Sequence, residues 1–317
     1  MKSKKYLITG VAGFIGFSFS KLLLEKGHKV FGIDNLDNYY SVNLKRKRLN
    51  YLKQNKNFKF KLINIEDIDS FKFFKKIKFD HVFHFAAQAG VRYSVINPDK
   101  YIKTNILGTI NVLNFCKFIK PKSIFFASSS SVYGDSKKFP LKETDELNPK
   151  NIYASSKIIN EITAESYSKK YNLNIYGLRF FTIYGEWGRP DMLLFKIIKN
   201  SIKKTTLKLN NNGNHYRDFT YINDVVEILY RLSLKKINKK FDIFNICSNN
   251  PQFIKKVIKY FIDSISHLKI KNISKNNLDV FKTHGDNKKI ISLTNFKNFT
   301  IFNKGFKNTC KWYKNNL

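Results

Sequence analysis

The octapeptide Thr9-Gly10-Val11-Ala12-Gly13-Phe14-Ile15-Gly16 constrains this chain more than any other stretch of it. It follows the apolar run Tyr6-Leu7-Ile8-Thr9, which reads as a buried strand, and opens a helix expected from about Gly13 to Lys26. Gly10 and Gly13 lack the Cβ that would keep a backbone away from a pyrophosphate, and Gly16 allows close helix–sheet packing. The helix start adds free N–H groups and a positive end facing the same anion. The spacing is G-x-x-G-x-x-G rather than G-x-G-x-x-G, so the glycines alone are a weak signal. Their context sharpens it. Val30-Phe31-Gly32-Ile33 reads as a second strand, and Asp34 stands at its tip, 18 residues beyond Gly16. A carboxylate there accepts two ribose hydroxyls and repels a 2′-phosphate, and no Arg immediately follows, so the expected dinucleotide is NAD rather than NADP. A structural turn followed by a capping Asp is the plainer alternative.

Alternation continues beyond this unit. Strands are expected at Phe58 to Ile65, Asp80 to Phe85, Ser123 to Ala127 and Asn174 to Phe180. Between them, helices are expected at Leu44 to Lys53, Asp67 to Lys76, Tyr101 to Lys117 and Asn151 to Lys170. The Tyr101 helix would carry Ile102, Ile106, Ile110 and Leu113 on one face. Nearly continuous apolar strands separated by helices predict an α/β fold, a Rossmann-like parallel sheet covered on both faces. After Arg179 the rhythm changes. Helices are expected at Met192 to Lys203, Tyr221 to Leu234 and Pro251 to Ile265, with a strand at Phe241 to Ile246 and weak periodicity from Ile290 onward. This divides the chain into a dinucleotide-binding part, 1–180, and a smaller α/β substrate-binding lobe, 181–317, some of whose segments return to the main body.

Lys and Arg number 58 against 23 Asp and Glu, a net charge of +35. Nucleic acid is nevertheless not the expected partner: the lysines are spread along the whole chain, and no zinc-finger spacing, KH-type loop or basic-leucine repeat accompanies them. A diffuse positive field would help capture an anionic nucleotide. Cys116, Cys247 and Cys310 are isolated, and His28, His81 and His84 lack a metal-ligand spacing, with His84 reading as a packed strand residue, so no metal is expected. No apolar run reaches the ~18 residues of a membrane span. The basic start Met1-Lys2-Ser3-Lys4-Lys5 precedes a stretch broken by Lys21 and Glu25, unlike a signal peptide, so the expected location is cytoplasmic.

Tyr153-Ala154-Ser155-Ser156-Lys157 places a Tyr and a Lys four apart, hence on one helix face. A free phenol, with a pKa of ~10, is a poor base near neutrality. A neighbouring ammonium lowers that value, and burial and a positive nicotinamide are expected to push the same way, which suits oxidation of a carbinol. The strand ending in Ala127-Ser128-Ser129-Ser130-Ser131-Val132-Tyr133-Gly134 offers a hydroxyl at a strand C-terminus, where α/β sheets expose ligand groups. Four serines are also simply a polar turn.

With these motifs the chain resembles the extended short-chain dehydrogenase/reductases, the NAD-dependent epimerase/dehydratase family, most nearly its UDP-glucuronate 4-epimerase group. The resemblance spans essentially the whole chain. Besides the segments above it rests on Ala86-Ala87-Gln88-Ala89-Gly90-Val91-Arg92, Leu178-to-Gly185, Trp187-Gly188-Arg189-Pro190-Asp191-Met192 and Arg217-Asp218-Phe219-Thr220-Tyr221-Ile222. It implies Tyr153 as catalytic base, Lys157 as its partner and Ser129 as the hydroxyl, with Ser130 a rival in register. It implies NAD contacts from Gly10, Gly13, Phe14, Ile15, Gly16, Asp34, Asn35, Asn64, Ile65, Ala86, Ala87, Gln88, Tyr153 and Lys157. Arg217 is similar to the arginine that holds UDP. Thr182 and Arg189, with Arg92, Ser129 and Ser130 nearby, are similar to the residues that receive the sugar, and a guanidinium can grip a uronate carboxylate through two parallel bonds. The implied reaction is NAD-dependent inversion of C4 of UDP-glucuronate through a 4-keto intermediate. The implied partners are a UDP-sugar and a second copy in a homodimer, and the implied setting is polysaccharide biosynthesis. UDP-glucose or UDP-N-acetylglucosamine epimerisation, uronate decarboxylation and non-catalytic NAD binding are the alternatives. Departures from the pattern are Asn64 for an Asp near the adenine, Glu186 for a Pro, Leu293-Thr294 for an Ala-Asp pair, and Ser130-Ser131 where a dehydratase carries Asp-Glu.

Overall fold

The computed structural model describes residues 2–274 and 277–316, so Met1 of the basic start and the closing Leu317 lie outside the described residues. The first part of the chain runs β1 (Lys5–Thr9), α1 (Phe14–Glu25), β2 (Lys29–Asp34), α2 (Val42–Lys53), β3 (Phe58–Leu62), a 3-10 turn (Ile68–Phe74) and β4 (His81–His84). It continues through the single-turn helices α3 (Tyr93–Ile96) and α4 (Pro98–Tyr101), a π turn (Ile102–Leu107), α5 (Gly108–Ile119), β5 (Ser123–Ser129), α6 (Ile152–Tyr171) and β6 (Ile175–Phe180). Then come β7 (Thr182–Tyr184), α7 (Leu193–Ile202), β8 (Thr206–Asn210), β9 (Tyr216–Tyr221), α8 (Ile222–Leu234) and β10 (Phe241–Ile246). The chain closes with β11 (Pro251–Phe253), α9 (Ile254–Ser264), β12 (Lys269–Ile273), α10 (Lys288–Thr294) and α11 (Phe302–Asn316).

Seven parallel strands form the main sheet in the order β10-β6-β5-β4-β1-β2-β3. This is the expected Rossmann-like architecture. Every residue of β6 is buried, as a parallel strand covered on both faces requires. One apolar core, holding Phe17, Phe19, Leu49 and Leu229, lies under α1, α2 and α8; the other, holding Phe71, Val112, Phe115 and Ala164, lies under the 3-10 turn, α5 and α6. Strand order reverses between β1 and β4, so their C-terminal ends open the crevice where such sheets take ligands. The smaller lobe is α/β as well, built on the β11-β9-β7 sheet, a β12-β8 pair and α7, α9 and α11, while β10 joins the main sheet from beyond residue 180.

Four local expectations change. The segment predicted as a helix from Asp67 is the 3-10 turn, with Asp67 accepting from the Asp69 amide. The Tyr101–Lys117 segment contains the π turn, whose extra residue rotates the face: Asn105, Gly108, Thr109, Val112 and Cys116 turn inward and Ile102 is exposed. Pro251 begins β11, pairing antiparallel with Asp218, and the helix starts only at Ile254. The C-terminal stretch read as weakly periodic is α11, with Phe302, Phe306, Thr309, Cys310 and Tyr313 on its buried stripe.

A buried ion pair fastens α6 to the sheet. Arg179 of β6 donates from Nε and Nη2 to the two carboxylate oxygens of Glu161 at 2.9 and 2.7 Å, and Ser128 of β5 donates to the same carboxylate at 2.5 Å. Arg179→Ala leaves Glu161 uncompensated in the interior. We expect a stability loss of about 3–5 kcal/mol by urea unfolding; a loss near zero would show that the pair does not hold the helix.

Candidate active site

Gly10 leaves β1 with φ +70°, and a Cβ on it would come within 2.7 Å of the Ala86 amide nitrogen at the end of β4. The Ala86 amide donates to Thr9 Oγ1 at 3.1 Å, and the same hydroxyl meets His84 Nδ1 at 2.7 Å. His84 is thus the packed strand residue expected, its other ring nitrogen 3.0 Å from Thr109 Oγ1. Gly13 caps α1 with no side-chain hydrogen bond, so the helix begins at Phe14 and Ile15 with amides turned to the crevice. The carboxylate of Asp34 accepts from the amides of Leu36 at 2.8 Å and Ala12 at 3.0 Å. Burial pushes this carboxyl up, while the Leu36 amide, Lys45, the Ala12 amide and Arg48 oppose the rise. Next to it, Asn35 accepts from the Asp37 amide. Asn64 lies exposed two residues past β3, and the Ile65 carbonyl is held by Asn111. A Cβ-free cradle, an uncapped helix start and a ribose-height carboxylate with spare lone pairs fit a dinucleotide.

Ala86, Ala87 and Gln88 line the other side of the crevice, held by a residue the sequence reading missed. Asn105, fully buried in the π turn, accepts from the Gln88 amide at 2.8 Å and donates to the Gln88 carbonyl at 3.1 Å and to Ser156 Oγ at 3.0 Å. It ties this loop to α6 beside Tyr153. An amide inside an otherwise apolar helix pattern was the available signal.

Tyr153 and Lys157 lie in the first turns of α6, whose start is capped by Asn151 Oδ1 accepting from Ala154 at 2.9 Å. Lys157 Nζ sits 5.8 Å from the centre of the Tyr153 ring and donates to the Ala127 carbonyl at 2.9 Å. Burial pushes the ammonium down to about 8, against the pull of Glu161. Burial pushes the Tyr153 phenol up, a correction to the expectation that it would help to ionise it: an apolar setting disfavours phenolate. What lowers it is a hydrogen bond from Ser129 and then the charge of Arg189. Ser129, at the end of β5, donates to Ser131 Oγ and accepts from the Ser131 amide, both at 3.1 Å. Ser130 follows it in a 3-10 turn.

Thr182, at the start of β7, lines a cavity with Phe14, Gly188 and Arg189. The two parallel bonds expected of Arg189 go to Asp191, from Nε at 3.0 Å and Nη2 at 2.5 Å. Burial pushes the Asp191 carboxyl up, but Arg189 more than offsets this. Glu186 points away from the guanidinium and accepts from the Tyr221 hydroxyl at 2.6 and 2.8 Å. Arg92 lies apart from Arg189, paired instead with Asp279 at 2.7 Å. Arg217 faces the same carboxylate; burial pushes it down to about 10, with Asp279 and Asp135 opposing.

A fold with this crevice and this Ser-Tyr-Lys arrangement defines a nucleotide-binding oxidoreductase-type site. The chain belongs to the NAD dependent epimerase/dehydratase family, whose pattern matches residues 6–247. An uncharacterized protein of Methanocaldococcus jannaschii is 42% identical over 100% of this chain and 98% of its own length. The UDP-glucuronate 4-epimerase of Thermodesulfobacterium geofontis is 38% identical over 98% of this chain and 97% of its own. Among solved structures, the UDP-glucuronic acid 4-epimerase of Bacillus cereus, in complex with UDP-glucuronic acid and NAD, superposes with a TM-score of 0.93 at 29% identity, covering 98% of this chain and 99% of that one. The protein is accordingly an NAD-dependent nucleotide-sugar enzyme of this family.

Lys157 makes the site's electrostatics measurable. Its pKa falls from 10.5 to about 8 on folding, so between those values the unfolded chain binds more protons than the folded one. Stability contributed by this group therefore rises with pH across that window, by up to about 1.4 kcal/mol per pH unit. The change in urea-unfolding stability from pH 8 to 9.5 should be less positive in Lys157→Met than in the parent protein; the same slope in both proteins would contradict the assignment.

Proposed function

We propose that the protein inverts C4 of UDP-glucuronate to give UDP-galacturonate. The observation that carries this reading is the cavity that Arg189 and Thr182 share with Phe14, the first residue of the helix that follows the glycine loop. In a uronate, the carboxylate-bearing carbon adjoins C4, so a cation beside the proton-transfer group suits that sugar. Tyr153 Oη takes the 4-hydroxyl proton, and Ser129 Oγ bridges the sugar oxygen and the phenol. Lys157, fixed by the Ala127 carbonyl, holds the ribose beside the reacting carbon. NAD, when bound, would accept hydride from C4 and return it to the opposite face. Arg217 and Arg92 keep the diphosphate while the 4-keto sugar turns over. Tyr153 then returns the proton to the 4-oxygen. Arg189 meets the carboxylate, with Thr182 and Ser130 beside it.

A neutral UDP-hexose is the second reading, favoured by the hold of Asp191 on Arg189. Exposed apolar side chains on the α5–α6 side, Ile102, Leu107, Ile159 and Ile162, support a homodimer formed there. Among the described residues no helix is long and apolar enough to cross a membrane. With UDP-sugar rather than nucleic acid as the anionic partner, we place the enzyme in the cytoplasm.

Incubation with UDP-glucuronate and separation of the products should yield UDP-galacturonate; a UDP-pentose would identify a decarboxylase. Tyr153→Phe should cut turnover at least ~100-fold while the fold persists, and full activity in that variant would refute the mechanism. Arg189→Gln should lower kcat/KM for UDP-glucuronate at least about 30-fold and lower that for UDP-glucose far less. An equal loss for both sugars would favour the neutral-hexose reading.

A further inference from the structure

Arg48 lies on α2, in a segment whose sequence reads only as a basic helix, yet its side chain is fully buried. Its Nη1 donates to the carbonyl of Ala12 at 2.8 Å and to the Tyr40 hydroxyl at 2.9 Å. Its Nη2 donates to the carbonyl of Trp187 and, at 3.3 Å, to that of Gly188. One planar fork therefore joins the glycine loop after β1 to the two residues immediately before Arg189.

These acceptors are all neutral oxygens, and the buried Nε has no acceptor among the described residues. Burying a guanidinium merely to fill space is unfavourable, and an apolar side chain would do it better. What a guanidinium adds is a rigid, two-pronged spacer between carbonyls that would otherwise repel each other. The 187–188 backbone needs such a support. Trp187 has a left-handed backbone with φ +60°, which a bulky side chain rarely adopts, and its ring is packed against Phe17 and Trp312. With both its carbonyl and its ring fixed, the following Gly188 delivers Arg189 to the cavity it shares with Phe14 and Thr182.

We propose that Arg48 is a positioning residue that sets the place of Arg189 relative to the glycine loop, and so governs selection of a carboxylate-bearing sugar from outside the substrate's reach. The inference rests on the function proposed above, in which Arg189 receives the substrate carboxylate. The brace spans both loops, so loss of the fork displaces Arg189 while the diphosphate contacts at Arg217 stay in place.

The test is a double-mutant cycle read by calorimetric titration of the NAD-loaded protein with UDP-glucuronate and UDP-glucose. Arg48→Lys keeps the charge and loses the fork. It should weaken UDP-glucuronate about tenfold or more and UDP-glucose by less than about twofold. In an Arg189→Gln background, Arg48→Lys should weaken UDP-glucuronate no further, because the residue through which it acts is gone. Tyr40→Phe removes one partner of the fork and should shift selectivity the same way by a smaller factor. It carries the test by itself if circular dichroism shows Arg48→Lys unfolded. Equal weakening of both sugars, or an Arg48→Lys loss that persists undiminished in Arg189→Gln, would overturn the proposal in favour of a purely structural role. A loss in Arg189→Gln with none in Arg48→Lys and Tyr40→Phe would overturn this inference alone. No loss in Arg189→Gln itself would overturn the carboxylate reading beneath it.

Discussion

The site depends on one close approach: the backbone of Gly10 lies against that of Ala86 where the strand order reverses. Only a residue without Cβ permits it. Once made, it brings the start of α1, the tip of β2 and the loop after β4 around a single crevice. The order β4-β1-β2 splays the loops following β1 and β4 to opposite sides, and this opens space for a long, flat ligand. The hydroxyl of Thr9 shares in fixing this geometry, bonded to the Ala86 amide and to His84.

Around that crevice the chain concentrates ionisable groups in surroundings that do not favour their charge. Burial moves the Tyr153 phenol up from 10.0 and the Lys157 ammonium down from 10.5 to about 8, so their proton affinities move apart and the ammonium becomes the more acidic of the two. The correction to burial's sign matters chemically. An apolar setting disfavours the phenolate, and the groups that oppose this are Ser129 and Arg189.

The net charge of +35 explains little of this. The groups that matter are held by particular counter-charges: Glu161 for Arg179, Asp191 for Arg189, Asp279 for Arg92. Acidic residues are few, and these three stand at the joint between α6 and the sheet, at the cavity beside the proposed proton-transfer group and at the cleft facing Arg217. The scattered lysines supply a background field, whereas the paired arginines supply geometry, since a fixed fork defines direction and an ammonium does not.

Much of the architecture was legible locally. Apolar runs four to seven residues long, a glycine turn, an Asp at a strand tip and a Tyr–Lys pair one helical turn apart each state their own role through period and stereochemistry. The alternation of strand and helix then implies a parallel sheet. What the sequence left open depended on contacts between distant segments. The π turn that buries Asn105, the strand begun by Pro251, the amphipathic α11 and the hold of Asp191 on Arg189 have no local signature strong enough to read. Arg48 shows the reason most plainly. In one dimension it is one basic residue in a basic helix; its meaning comes from carbonyls at residues 12, 187 and 188, which only the folded chain brings to one point. Local chemistry therefore determined the elements and the reactive pair, while tertiary packing alone decided which polar groups are buried and which face each other, because burial and proximity are properties of the assembled chain.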